Sequence, residues 1–319
     1  MWTSELPAAE IAARFDDVTR SAVSHTSASS LQDLATRHSD VRTEERRGTT
    51  VVAVTEASPA PDRFDPGVEA WLAGLGLVRD RVRQELVRRQ LVAHLPAGPE
   101  PLLVLDAGCG QGTQAIELAR LGHRVVGVDL SDTLLEVAHI AASGEQEDVR
   151  RRLSFVAGDL LALEDGHAER YDLVCCHGVA MYLPSLAGAA HALVGACRPG
   201  GLISILTRIR AGIAMRAGMS GDWAAALDAF DTRHYDNRLG ITSVRADEPD
   251  EVQAALTAAG ATVVAWYGVR LFSDHLGQLP PGTDFPDLVA AEEEAGRRDP
   301  FRSLAALTHT IARLPLGRK

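Results

Sequence analysis

The sequence predicts an α/β fold built on a doubly wound sheet of seven strands, with helices on both faces. Three observations point there. From Leu102 onward, short apolar runs rich in Val, Ile and Leu alternate with segments of helical periodicity, which is the pattern of βαβ units and of strands buried on both faces. The first run leads into "DAGCGQG", where Gly108, Gly110 and Gly112 crowd a strand-to-helix turn. The second run ends on Asp129, about 20 residues past the glycines, where an acidic group can meet a ribose.

In chain order, residues 1–63 differ in texture from the rest. They hold a helical pattern at 6–18, the polar "SAVSHTSASS", the charged "RTEERR" and a lone β-branched run, and they end at the Pro-rich "SPAPDRFDPG". This is read as an N-terminal extension, a mobile appendage or an oligomerising arm. Apolar residues at helical spacing follow from Val68 to Leu95, with "GLG" at 74–76 as a break. Strands are expected at 102–106, 124–129, 153–157, 171–177, 202–207, 261–269 and 304–312. Helices are expected at 113–120, 133–142, 186–197 and 249–259, the last opened by the acidic "DEPDE" that suits a helix N-terminus. Residues 208–245, after the fifth strand, are too long for a simple connection and read as a lid or substrate insert.

Composition narrows the function. The 319 residues can bury a full core without staples. A net charge of −11 argues against a general phosphate-tracking surface, although a local arginine patch can still hold RNA. Arginine supplies every basic residue but Lys319, which reflects coding bias more than chemistry. The four cysteines, Cys109, Cys175, Cys176 and Cys197, have neither zinc-site spacing nor the density of a disulfide scaffold, so a reducing cytoplasm is expected. The N-terminus has no leader pattern, and no apolar run approaches the ~18 residues of a membrane span.

The glycine loop excludes several ligands. Gly112 is followed by Thr113 and Gln114, so the lysine of a phosphate-binding P-loop is missing. The third glycine comes one residue too early for the dinucleotide fingerprint, which weakens a hydride-transfer reading. What remains is bare backbone brought against a cofactor between Asp106 and Asp129.

At this point "VLDAGCGQG", "VVGVDLS", "FVAGDLLAL" and "RPGGLISIL", in that order, resemble the class I S-adenosylmethionine-dependent methyltransferases, whose fold is Rossmann-like. The resemblance implies S-adenosyl-L-methionine as cofactor and S-adenosyl-L-homocysteine as product. Asp106, Gly108, Cys109, Gly110, Gly112, Asp129 and Leu130 would hold the amino-acid and sugar parts, and Asp159 and Leu160 the adenine. The segments "VRQELVRRQL", "CCHGVAMYLP", "YGVRLFSDHL" and "EEEAGRRDPFRSLAALTHTIAR" are further similar to the branch that methylates the carboxylate of 5-carboxymethoxyuridine in tRNA. That likeness spans about residues 64–314 and places Arg83 on the methionine carboxylate, His177 beside the reacting groups, and Arg270 at the acceptor's anionic end.

The methyltransferase domain is therefore expected over 64–319. Methyl transfer is an in-line displacement in which alignment matters most. A carboxylate acceptor needs no base, whereas a phenol or alcohol would use His177. Arg208, Arg210 and Tyr182 join Arg270 as acceptor-contact candidates. "DTRHYDNR" is read as solvated loop, with no metal, and Cys175 and Cys176 as core thiols. The leading function is O-methylation of a carboxylate or hydroxyl on a small metabolite or biosynthetic intermediate. The alternatives are a tRNA wobble-uridine carboxyl methyltransferase and a protein that binds S-adenosylmethionine without transferring its methyl. No membrane partner is expected, and a homodimer is one reading of the extension.

Overall fold

The computed structural model describes residues 64–163, 167–277 and 279–316. The extension at 1–63, with its helical pattern and its expected part in assembly, lies outside the described residues.

The chain enters through two helices, α1 (Val68–Ala73) and α2 (Val78–Val92). The "GLG" between them makes the break, with Gly76 at φ 77°, a conformation that costs a glycine little. The alternating core follows as β1 (Leu103–Ala107), α3 (Thr113–Arg120), β2 (Arg124–Asp129), α4 (Asp132–Ser143), the short α5 (Glu147–Arg150), β3 (Leu153–Ala157), β4 (Tyr171–His177), α6 (Leu186–Ala196) and β5 (Cys197–Arg208). The insert carries α7 (Ala211–Met219), α8 (Trp223–Asp228) and a hairpin of β6 (His234–Tyr235) with β7 (Val244–Arg245). Last come α9 (Pro249–Ala258), β8 (Thr262–Val269), α10 (Phe285–Ala295) and β9 (Leu307–Arg313).

The seven strands run in the order β3-β2-β1-β4-β5-β9-β8. The first five pair in parallel, whereas β9 is antiparallel to both β5 and β8. The sheet is thus mixed at one end. The chain leaves β8 at Val269 and re-enters β9 at Leu307, its direct pairing partner. It therefore turns back at the same end of the sheet, and no crossover is needed. The last strand begins three residues later than its pattern suggested because Phe301–Leu304 closes into a 3-10 turn.

Alternation along the strands divides the core between the faces. Leu103 and Leu105 of β1 face one way with Val126, Val174, Leu193 and Leu256, under α6 and α9. Val104 faces the other with Val125, Leu173, Leu91 and Leu118, under α2 and α3. Local chemistry sets the helix starts. Ser131 caps α4 by accepting the Leu134 N–H, and Glu248 and Glu251 form a capping box ahead of Pro249 in α9. Cys175 and Cys176 lie fully buried in β4 as core thiols. Among the described residues no helix is long and apolar enough to cross a membrane.

Candidate active site

A cavity of about 890 Å³ opens at the carboxyl ends of β1, β2 and β4. That is where an open α/β sheet presents its loops to a ligand, and the strand order reverses between β1 and β4.

One wall is the glycine loop. Gly108 and Cys109 donate their N–H groups to the Val128 carbonyl at 2.7 and 3.0 Å, which hooks the loop onto β2. Gly108 has φ 77°, and a Cβ there would sit 2.2 Å from Val179 Cγ2, so both its conformation and its packing demand glycine. Gly110 donates its N–H to Asp129 Oδ2 at 2.7 Å, and Ser131 donates to Oδ1 at 3.0 Å. Each Asp129 oxygen keeps a second lone pair for a pair of adjacent hydroxyls. Gly112 stands just behind the wall as the left-handed residue before α3.

Asp106 is buried at the end of β1, and its Oδ2 has no partner among the described residues. Burial, reinforced by the Asp129 charge, pushes its carboxyl up to about 7. Burial also raises Asp129 and takes the Cys109 thiol well above its usual range. Asp159 accepts the Leu161 N–H at 2.8 Å beside buried Leu160, and both line the cavity with Leu130.

The opposite wall comes from α1, α2 and the segment after β4. Arg83 lies over the Trp71 ring at 5.0 Å and pairs with Asp80 at 3.1 Å. Trp71 donates its indole N–H to Gln111 Oε1 at 2.8 Å, joining α1 to the glycine loop. Phe64 packs edge-on against both Trp71 and Tyr182, so three aromatic rings line one side of the mouth. His177 lines the cavity at the end of β4, with its Nε2 2.8 Å from Ser204 Oγ. Burial, with help from Arg83, pushes its imidazole down to about 3.

The other acceptor-contact candidates lie deeper. Arg208, Arg270 and Arg79 surround Asp274 at 3.1, 3.3 and 2.9 Å, and none of the three is among the cavity-lining residues. Arg210 pairs with Glu248 at 2.6 Å, also off the cavity. None of residues 208–245 lines the cavity; the insert buttresses its wall instead. Asn237 donates to the Tyr182 hydroxyl at 3.0 Å, and Arg245 donates to the carbonyls of Leu183 and Ala180 at 2.7 and 2.8 Å.

Sequence reasoning passed over Phe64, Trp71, Gln111 and Ser204, which a helical pattern, a loop and a strand made look ordinary. The one available signal was a tryptophan placed a short turn ahead of an arginine-rich helix. Among the described residues no group of three His, Cys, Asp or Glu side chains converges as a metal site.

Comparison with known proteins agrees with this geometry. A family model described as "Methyltransferase domain" matches residues 105–205. The tRNA 5-carboxymethoxyuridine methyltransferase of Escherichia coli (strain K12) is 28% identical over 258 residues, covering 79% of this chain and 96% of the relative. The ubiquinone biosynthesis O-methyltransferase of Methylobacterium sp. (strain 4-46) is 37% identical over 160 residues, covering 46% of this chain and 61% of the relative. Among solved structures, a S-adenosylmethionine-dependent methyltransferase from Methanosarcina mazei superposes with a TM-score of 0.50 at 14% identity, covering 71% of this chain and 97% of its own. With the geometry, these matches support a class I S-adenosylmethionine-dependent methyltransferase, with S-adenosylmethionine as the cofactor that its family and structural neighbours imply.

Proposed function

We propose that the chain O-methylates an acceptor that reaches the cavity already nucleophilic, with a carboxylate on a small metabolite or biosynthetic intermediate favoured and an acidic hydroxyl next. The carrying observation is that the cavity's histidine and cysteine are poor bases, while its one carboxyl raised to about 7, that of Asp106, lies beside the glycine loop on the cofactor side. Burial holds His177 neutral down to about pH 3, and the Cys109 thiol is held far above its usual range. An alcohol of ordinary acidity would find no group here of matching strength, whereas a carboxylate needs none.

In this reading the two sides of the cavity divide the work. Gly108, Cys109 and Gly110 bring bare backbone to the amino-acid end of S-adenosylmethionine, with Arg83 toward its carboxylate. Asp129 takes the ribose hydroxyls, with Leu130 packed beside the sugar, and Asp159 and Leu160 meet the adenine. The carboxyl of Asp106, buried and with its Oδ2 unpartnered, fits a cationic cofactor. Once bound, the cofactor supplies an electrophilic methyl on a sulfonium. The chain's part is to line up the acceptor oxygen opposite the sulfur and to exclude water, which the ring of Phe64, Trp71 and Tyr182 is placed to do. Arg208, whose charge reaches Tyr182, and Arg270, its neighbour around Asp274, bias that side toward an anion.

A second reading is a tRNA carboxyl methyltransferase. It is favoured by the 96% coverage of the E. coli relative, and it would leave the small-molecule preference resting on the acidic net charge. One experiment tests both. Methyl-labelled S-adenosylmethionine is incubated with an RNA fraction and with a small-molecule fraction from the source cells, and each product is treated with mild alkali. Alkali-labile label in the small-molecule fraction supports the first reading, and label in RNA the second. Alkali-stable label would overturn the carboxylate.

A further inference from the structure

His177 is the visible end of a buried polar chain. Its Nε2 lies 2.8 Å from Ser204 Oγ in β5; the same Oγ lies 2.8 Å from His309 Nε2 in β9; and His309 Nδ1 lies 2.7 Å from Gln90 Oε1 in α2. Ser204 and His309 are fully buried and Gln90 is 3% exposed. The chain crosses the sheet interior from a helix on one face to the cavity wall.

The proton count along it is restrictive. Ser204 owns one hydroxyl proton and stands between two ring nitrogens, so it donates to one and accepts from the other. Gln90 presents a carbonyl oxygen to His309, so His309 carries its proton on Nδ1. Burial holds this ring neutral, which leaves its Nε2 bare to accept from Ser204. Ser204 in turn accepts from His177, whose proton is therefore on Nε2. Two atoms of the chain remain without a partner among the described residues: Gln90 Nε2 at the core end, and His177 Nδ1, a bare acceptor at the other. Of the two, His177 lines the cavity and Gln90 does not, so the unfilled acceptor is the end that a bound molecule approaches.

We propose that Ser204, His309 and Gln90 are positioning residues that hold His177 as its Nε2–H tautomer, so that Nδ1 takes a hydrogen bond from an N–H or O–H donor of the bound molecule. The inference rests on the reading of the cavity as the cofactor and acceptor site. The donor is the amino group of the cofactor or a hydroxyl beside the reacting oxygen of the acceptor. Either one satisfies an acceptor that is otherwise buried unpaired.

The test is histidine-selective ¹⁵N labelling of the full chain, read by long-range ¹H–¹⁵N correlation at pH 7 with S-adenosylhomocysteine bound, and with a His177→Gln variant to assign the signal. The expected result is a protonated Nε2 and an unprotonated Nδ1 on His177, and the reverse on His309. Ser204→Ala mixes the His177 tautomers, and Ser204→Thr, which keeps the hydroxyl, restores one. Gln90→Glu offers acceptor oxygens only and leaves the pattern unchanged, so it serves should Ser204→Ala fail to fold. Calorimetry then locates the donor. If it is the cofactor's amino group, Ser204→Ala weakens S-adenosylhomocysteine about tenfold, close to one hydrogen bond. In that case 5′-methylthioadenosine, which lacks the amino-acid end, is unaffected. If both ligands bind Ser204→Ala as they bind the native chain, the donor is on the acceptor. A protonated Nδ1 on His177 in the native chain, or an unchanged tautomer in a folded Ser204→Ala, overturns the proposal. S-adenosylhomocysteine binding by the native chain separates that failure from failure of the cavity reading, which no binding at all would signal.

Discussion

The carboxylate of Glu292 accepts the Ser273 backbone N–H at 2.8 Å and the Ser273 hydroxyl at 2.5 Å, while also taking the N–H groups of Leu271 and Phe272 at 2.7 and 3.0 Å. A side chain of α10 thereby shapes the loop after β8, including Arg270, which is held at φ 64°. Both segments were singled out in the sequence, and this contact explains why they belong together. Glu292 is 1% exposed, so Glu292→Ala takes the acceptor from four donors, three of them backbone N–H groups. The expected loss is about 3 kcal/mol or more, read as a drop in the denaturant midpoint. A change under about 0.5 kcal/mol would show that the loop holds its shape unaided.

Among the described residues, Asp274 is the one carboxylate that pairs with the three buried guanidinium groups of Arg79, Arg208 and Arg270. Those arginines hold its carboxyl far below the usual range despite burial, and burial with crowding by the other arginines pushes Arg270 down to about 9. Asp274→Asn leaves the cations unpaired and should cost about 3–5 kcal/mol. The pH sign follows from the depressed value. The stabilisation is fully present above the unfolded carboxyl value of about 4 and is lost as pH falls below it toward the folded value. Urea titrations between pH 5 and pH 2 should show a steep fall in the native chain and a shallower one in Asp274→Asn.

Much of the frame was legible because its signals are local. The apolar runs of β1 to β4 are bounded by glycine or charge, and α3 begins where the glycines end, so the expected limits fall within a residue of those observed. The direction of β9 was not legible, because an apolar run is the same parallel or antiparallel and the choice lies in how the chain returns from β8. The cavity's acidic side was legible for the same local reason, since Asp106, Asp129 and Asp159 each end a strand or open a turn. The arginines were visible as residues but not as a cluster, since Arg79 and Asp274 meet across 195 positions. Ser204 and His309 gave no signal at all, since a lone polar residue in an apolar strand looks like any other until its neighbour strand is known.

Trp71 and Gln111 join the entry helix to the glycine loop through one indole hydrogen bond of 2.8 Å. Trp71→Phe keeps the packing against Phe64 and Arg83 but removes the donor, and should weaken S-adenosylhomocysteine about three- to tenfold, the range of one net hydrogen bond. Gln111→Ala should do the same, and the double variant should add little to either, because both remove the same contact. Additive losses in calorimetry would mean that the two residues act separately.

Asp106 offers a sharper test of the cofactor site through charge. Burial and the nearby Asp129 raise its carboxyl to about 7, against about 3.9 in an unfolded chain. The folded state therefore holds the extra proton between those values, and stability from this group is greatest below about pH 4 and falls as pH rises through 7. Cofactor binding runs the other way. S-adenosylmethionine carries a positive sulfur that its product lacks, and an ionised Asp106 favours that cation. The ratio of the two affinities should tilt toward S-adenosylmethionine between pH 6 and pH 8, with proton release on binding S-adenosylmethionine near pH 6.5, and Asp106→Asn should abolish both effects. Calorimetry in two buffers of different ionisation enthalpy reads the proton directly. An affinity ratio that is flat with pH in the native chain would place the sulfonium away from Asp106 and require another orientation of the cofactor.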